Sequence, residues 1–220
     1  MTLKACTHRI TLNTILLLAV LGCLFVRPAP ALALENRGTT LPTFVEFAKA
    51  VQNSEATVLR GVYVPDVLAL PIIQQPMGNA GYVSSKLGEV TQFGMAAQFG
   101  NIGLLAHNHL SGSSFSQLAI GQEVRLVYGN GKVEYFVIAQ IMQFQALDPS
   151  SPYSSFRDLT SNETMTAEQL FNKVYRGERH VTFQTCIASG ESLSWGRLFI
   201  IATPKPQVAN TNRFDPKTNP

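Results

Sequence analysis

The stretch Gln122-Glu123-Val124-Arg125-Leu126-Val127-Tyr128, the triplet Gly129-Asn130-Gly131 and the return from Lys132 to Ile141 form the clearest hairpin in the chain. Val124, Leu126 and Tyr128 alternate with other residues, and Val133, Tyr135 and Val137 do the same on the way back. That is the period of two expected of a half-buried strand. The triplet supplies residues that accept positive φ, which a tight turn between twisted strands demands.

On the N-terminal side, Thr43 and Glu46 form a capping box with Leu41 as a staple partner. Phe44, Phe47, Ala48 and Val51 then line one face of a helix ending near Asn53. Val58, Val62, Val64 and Val67 to Leu70, set among Gly61, Pro65 and Pro71, predict short strands broken by turns. Residues 76–98 are rich in Gly and Ala without a clear period and read as loops with one short helix. Asn101 to Ala106 is a compact apolar run ending in His107-Asn108-His109, followed by a Ser/Gly loop through Ser116.

On the C-terminal side, residues 148–164 read as a long polar loop. Thr166 and Gln169 make a second capping box, and Leu170, Phe171, Val174 and Tyr175 share a helical face that stops near Gly177. Val181 to Ile187 and Arg197 to Ala202 are two late strands around the loop Ala188 to Trp195. The expectation is a single mainly β domain with two or three short helices on its outside. Pro204 to Pro220, with four prolines and almost no apolar content, reads as a frayed tail.

Composition narrows the classes of function. With 220 residues, 45% of them hydrophobic and only 14% charged, the chain can bury a real core and is neither disordered nor a disulfide-dense miniprotein. Its formal charge of +3 comes from Lys4, Arg9 and Arg27, which lie in the first 33 positions where no Asp or Glu occurs. Without them 14 basic residues face 14 acidic ones, so no basic field steers the domain toward nucleic acid.

Those 33 residues read as an address. Lys4 and Arg9 precede the apolar stretch Ile15 to Val26, and Ala31-Leu32-Ala33 is a small-x-small cleavage site that would leave Leu34 as the new N-terminus. As a helix, 12 residues cover about 18 Å against a hydrocarbon core of about 30 Å. An uncleaved anchor extended by flanking residues is the alternative, which would attach the chain to a membrane through its N-terminus, and Val20-Leu21-Gly22-Cys23 loosely resembles a lipoprotein box. The expected divisions are a leader at 1–33, a helical segment at 34–55, a main domain at 56–203 and a tail at 204–220. With Cys6 and Cys23 in the leader, Cys186 is the lone thiol of an exported domain, either buried and inert or reactive.

Three strand ends carry residues that could do chemistry. His107 follows one apolar strand, Cys186 lies at the end of Val181 to Thr185, and Arg197 opens Leu198 to Ile201. If these strands are neighbours, a thiol, an imidazole and a guanidinium converge at one edge of a β fold. A thiolate can attack a carbonyl, an imidazole can protonate the departing amine, and a guanidinium can hold the substrate backbone or a developing oxyanion. His109, two residues past His107, reads as a second proton carrier, a substrate contact or a loop residue bonded to backbone. His180 reads as a surface histidine, and Trp195 as a core residue beside the arginine strand or, alternatively, as lining a substrate groove. No Cys/His spacing, acidic cluster or glycine-rich phosphate loop argues for a metal or another cofactor.

The order Asn101 to His107, then Thr182-Phe183-Gln184-Thr185-Cys186, then Trp195-Gly196-Arg197 leading into Leu198 to Ala202 resembles the sortases, the cysteine transpeptidases of bacterial surfaces. The spacing agrees, with 79 positions from His107 to Cys186 and 11 from Cys186 to Arg197. The likeness runs over residues 56–203 and is firmest from 100 onward. Phe183 stands where leucine is usual, and Ala106 where many members carry glycine. The resemblance implies a closed β-barrel of seven to eight strands, with Cys186 as nucleophile, His107 as the catalytic histidine, Arg197 as the arginine and Thr185 as the residue before the nucleophile. It implies cleavage of a sorting-signal peptide of exported proteins through a thioacyl enzyme, and transfer to a peptidoglycan-type or lysine amine, or to water. The alternatives are an exported cysteine peptidase or amidase, and a non-catalytic module on the same barrel. A papain-type protease is disfavoured, because its cysteine precedes its histidine.

Overall fold

The computed structural model describes residues 40–206. The leader, with Cys6, Cys23 and the cleavage site before Leu34, and the tail beyond Pro206 lie outside the described residues.

In chain order the elements are α1 (Phe44–Val51), β1 (Leu59–Val64), β2 (Leu68–Gln74), β3 (Val90–Phe93), α2 (Gly94–Ala97), β4 (Ile102–Leu105), a 3-10 helix (Ser111–Gln117), β5 (Glu123–Tyr128), β6 (Val133–Ala146), β7 (Phe156–Asp158), β8 (Thr164–Met165), α3 (Ala167–Tyr175), β9 (Val181–Ser189) and β10 (Ser192–Pro204). Hydrogen-bonded neighbours run β10-β9-β4-β3-β2-β1-β5-β6, and β10 pairs back onto β6. Eight strands therefore close on themselves, as the family resemblance implies, while β7 and β8 extend outward from the end of β6. The β2–β3 and β4–β9 pairs are parallel and the other barrel pairs antiparallel. Eight strands enclose a space that side chains just fill. Phe115, Phe136 and Phe183, together with Val62, Leu104, Leu126 and Ile200, fill it here. Removing one such phenylalanine costs about 3–5 kcal/mol.

The hairpin turns where expected, with Gly131 at φ +82° and its N–H donating to the Tyr128 carbonyl. Both capping boxes form, Thr43 with Glu46 and Thr166 with Gln169. Leu41 is exposed and staples nothing in the cluster under α1. That cluster is Phe47, Ala48, Tyr63 and Val127.

Two further expectations need correction. The stretch 76–98 contains strand β3, too short and too non-locally paired to show a period. The 148–164 loop carries β7 and the start of β8. A second apolar cluster lies outside the barrel, where Leu170, Val174 and Tyr175 of α3 pack on Phe144, Phe156 and Phe199.

His180 is buried rather than at the surface. Its backbone N–H donates to Asn101 Oδ1, and its ring nitrogens lie 2.7 Å from the Glu178 carbonyl oxygen and 2.9 Å from that of Val174. The histidine thus ties the end of α3 to the starts of β4 and β9. This tie depends on a partner 79 residues away, which local sequence does not reveal.

Candidate active site

Strands β4, β9 and β10 are adjacent, with β9 in the middle. Their inward residues are Ile102, Leu104 and Ala106; Val181, Phe183 and Ile187; and Leu198, Ile200 and Ala202. Alternation then turns Leu105 and His107, Gln184 and Cys186, and Arg197 and Phe199 to the outer face. Cys186 pairs directly with Arg197, and Gln184 with Phe199. On the other side Leu105 pairs with Gln184, and the Ala106 N–H continues the ladder to the Gln184 carbonyl at 3.2 Å. The paired part of β4 ends at Leu105, and His107 follows it at the start of the turn. Cys186 and Arg197 are thus direct cross-strand neighbours, and His107 lies just past the end of the strand on the other side of β9.

Cys186 is a free thiol, partly exposed. No hydrogen bond among the described residues joins it to His107 or Arg197. The guanidinium of Arg197 donates from Nη1 to the carbonyls of Ser194 and Gly196, each at 2.9 Å, and lies 5.9 Å from the centre of the Phe156 ring. Those carbonyls belong to a bulge: between the pairs Ser192–Ser189 and Gly196–Ile187, β10 carries two more residues than β9. The bulge explains Trp195. It is half-buried and belongs to none of the core clusters, contrary to the expectation of core packing.

The segment after β4 is fixed from several directions. The His107 carbonyl accepts from the N–H groups of Leu110 and Gly112, each at 3.0 Å. Asn108 donates its side-chain amide to the Leu193 carbonyl at 2.8 Å, which binds the segment to the start of β10. The ring of His107 stacks on that of His109, with centroids 5.4 Å apart and planes 28° from parallel. His109 itself is exposed. At Gly112 a Cβ would lie 2.3 Å from Thr185 Oγ1, 2.7 Å from the His107 carbonyl oxygen and 2.8 Å from that of Ala106, so only glycine allows this approach. Thr185 points inward beneath it, and its hydroxyl is buried without a hydrogen-bond partner.

Beside Arg197 a cleft of about 390 Å³ runs over the outer face, lined by Phe156, Phe171, Tyr175, Gln184 and Phe199 among others. Burial pushes the Tyr175 phenol far above its ordinary range, so it stays protonated, and it donates to Gln184 Oε1. Such a cleft, mainly apolar and with the Arg197 guanidinium in its wall, can hold an extended peptide. Asn108, Gly112 and Gln184 were not singled out by sequence reasoning. Their roles depend on contacts with other segments, and only the glycine in the Ser/Gly loop gives any local sign. Among the described residues no group of three or more His, Cys, Asp and Glu could hold a metal ion, and no helix is long and apolar enough to cross a membrane.

No family model and no curated protein matches the chain. Solved structures do. A sortase D5 transpeptidase from Clostridium perfringens is 13% identical, with 74% of this chain and 88% of that one covered at a TM-score of 0.44. A lid mutant of sortase C1 from Streptococcus agalactiae is 15% identical, with coverage of 76% and 85% and a TM-score of 0.45. Sortase A from Listeria monocytogenes is 13% identical, with coverage of 69% and 88% and a TM-score of 0.40.

Proposed function

We propose that the chain is an exported, sortase-like cysteine transpeptidase that works at the cell surface. The observation that carries this reading is on the outer face: Cys186 stands opposite Arg197 in the β9–β10 ladder, and His107 follows the end of β4, the strand paired to the other side of β9. The motif order in the sequence supports it, as does the apolar cleft that ends at Arg197.

In the first step Cys186 Sγ attacks the scissile carbonyl of a sorting-signal peptide. The C–S bond forms, the C–N bond breaks, and the thiol proton passes through His107 to the departing amine. Arg197 has donors beyond the one bonded to the bulge, and it faces the oxygen on which charge develops or the peptide backbone. In the second step an amine of peptidoglycan or of a lysine attacks the thioacyl carbon. The new C–N bond forms, C–S breaks, and the amine proton returns through His107 to sulfur. Water in place of the amine gives hydrolysis. Trp195 flanks the arginine as a substrate contact, and Thr185 supports the nucleophile's strand from the inner face.

Incubation with a peptide library and glycinamide, followed by mass spectrometry, tests the reading. A thioacyl adduct on Cys186 and a glycinamide-capped product are expected. Both should vanish in Cys186→Ala, and His107→Ala should slow their formation by about 10²–10⁴-fold. Hydrolysed peptide with no capped product would make the protein a peptidase. Failure of any peptide to acylate Cys186 would leave a binding module on a barrel.

A further inference from the structure

We infer that His109 is a positioning residue for the candidate base, holding the His107 ring in its plane by stacking on it; this rests on the reading of Cys186 and His107 as nucleophile and base. A base must present one particular nitrogen to the sulfur, and in nucleophile–base pairs a third group usually holds the base by a hydrogen bond. Among the described residues no hydrogen bond or ion pair holds the His107 ring. What faces it is a second imidazole, 5.4 Å away and 28° from parallel.

The backbone around this pair is fixed. Asn108, between the two histidines, is pinned to the Leu193 carbonyl, and the His107 carbonyl takes two N–H groups from the turn that follows. Rotation of the His107 side chain is the freedom left, and the neighbouring ring limits it. His109 is exposed and belongs to no core cluster, so packing does not require it there. The chemistry asked of it is that of a flat ring, not of a proton carrier.

Aromatic replacement separates these roles. His109→Phe keeps a ring and loses the nitrogens, whereas His109→Ala loses both. In the full chain, the His107 Cε1–H resonance should carry a ring-current shift that His109→Ala removes and His109→Phe retains. Thioacyl formation on Cys186 should fall about tenfold or more in His109→Ala through kcat with KM little changed, because a small misplacement of a reacting group is costly. His109→Phe should restore it. Equal impairment of both variants, or full activity in His109→Ala, overturns the inference. If wild-type Cys186 acylates with no peptide, the proposed function fails on its own. The resonance then decides the stack, and no difference between wild type and His109→Ala overturns it.

Discussion

Thr185 is where stability and activity should part. Its hydroxyl is buried without a partner, one residue before the thiol and directly beneath Gly112. Leaving such a group unpaired costs about 1–3 kcal/mol, and an apolar group of the same shape removes that cost. Thr185→Val should therefore keep or raise the midpoint of urea unfolding. Because the hydroxyl faces inward, away from Cys186, the same substitution should leave thioacyl formation little changed. A valine variant clearly less stable than wild type would mean that the hydroxyl is already satisfied, and one with strongly slowed turnover would give the hydroxyl a role in the site. The sequence made this position visible only as the neighbour of a nucleophile. That its oxygen has no partner follows from the 3-10 helix folding over it. Cys186, His107 and Arg197 stood out as residues that close or open apolar runs, but β9 continues to Ser189 and β10 begins at Ser192, so Cys186 and Arg197 lie within strands rather than at their ends. His180 and Trp195 were misread, one through a long-range tie to Asn101 and the other through a bulge.

At the level of elements, what was legible follows from how local the forces are. The hairpin and both capped helices rest on residues within a few positions of each other, and all three appear as expected. β3, β7 and β8 are two to four residues long and are set by partners elsewhere, so their sequences carry no period. The outer layer of β7, β8 and α3, which walls the cleft, hinges on Asp158. Burial works to raise its carboxyl, but the N–H groups of Thr160 and Ser161 and the ammonium of Lys173 outweigh this and hold it below the usual carboxylate range. A carboxyl depressed in the folded state contributes stability above its unfolded value of about 3.9, and that contribution is lost as pH falls through the folded value. Asp158→Asn should accordingly be less stable than wild type in urea at pH 7, with the gap closing as the pH is lowered below about 4. An equal gap at pH 7 and pH 3 would assign the loss to geometry rather than charge.

For the molecule as a whole, the question is how the Cys186–Arg197 pair and the segment after β4 keep their spacing. β9 has a partner on each side, and β10 runs from β9 to the seam with β6, where the pairs extend from Gly196–Gln145 to Pro204–Phe136. Opening that seam would leave β10 held only by β9, with Arg197 still opposite Cys186 but the pair no longer backed by β6. A closed barrel has no free edge from which to fray, so its strands should open together, while an element packed on the outside can open alone. Native-state hydrogen exchange in low denaturant tests this. Amides of β4, β6, β9 and β10 should converge on one opening free energy, that of global unfolding. Those of α1, which touches the barrel through Phe47 and Ala48, should exchange through a smaller local opening. If the β6–β10 amides exchange faster than those of β1 and β5, the seam is a gate. The site would then be assembled by closure of the barrel rather than held ready in it, and the rate of thioacyl formation should follow the opening rate of the seam.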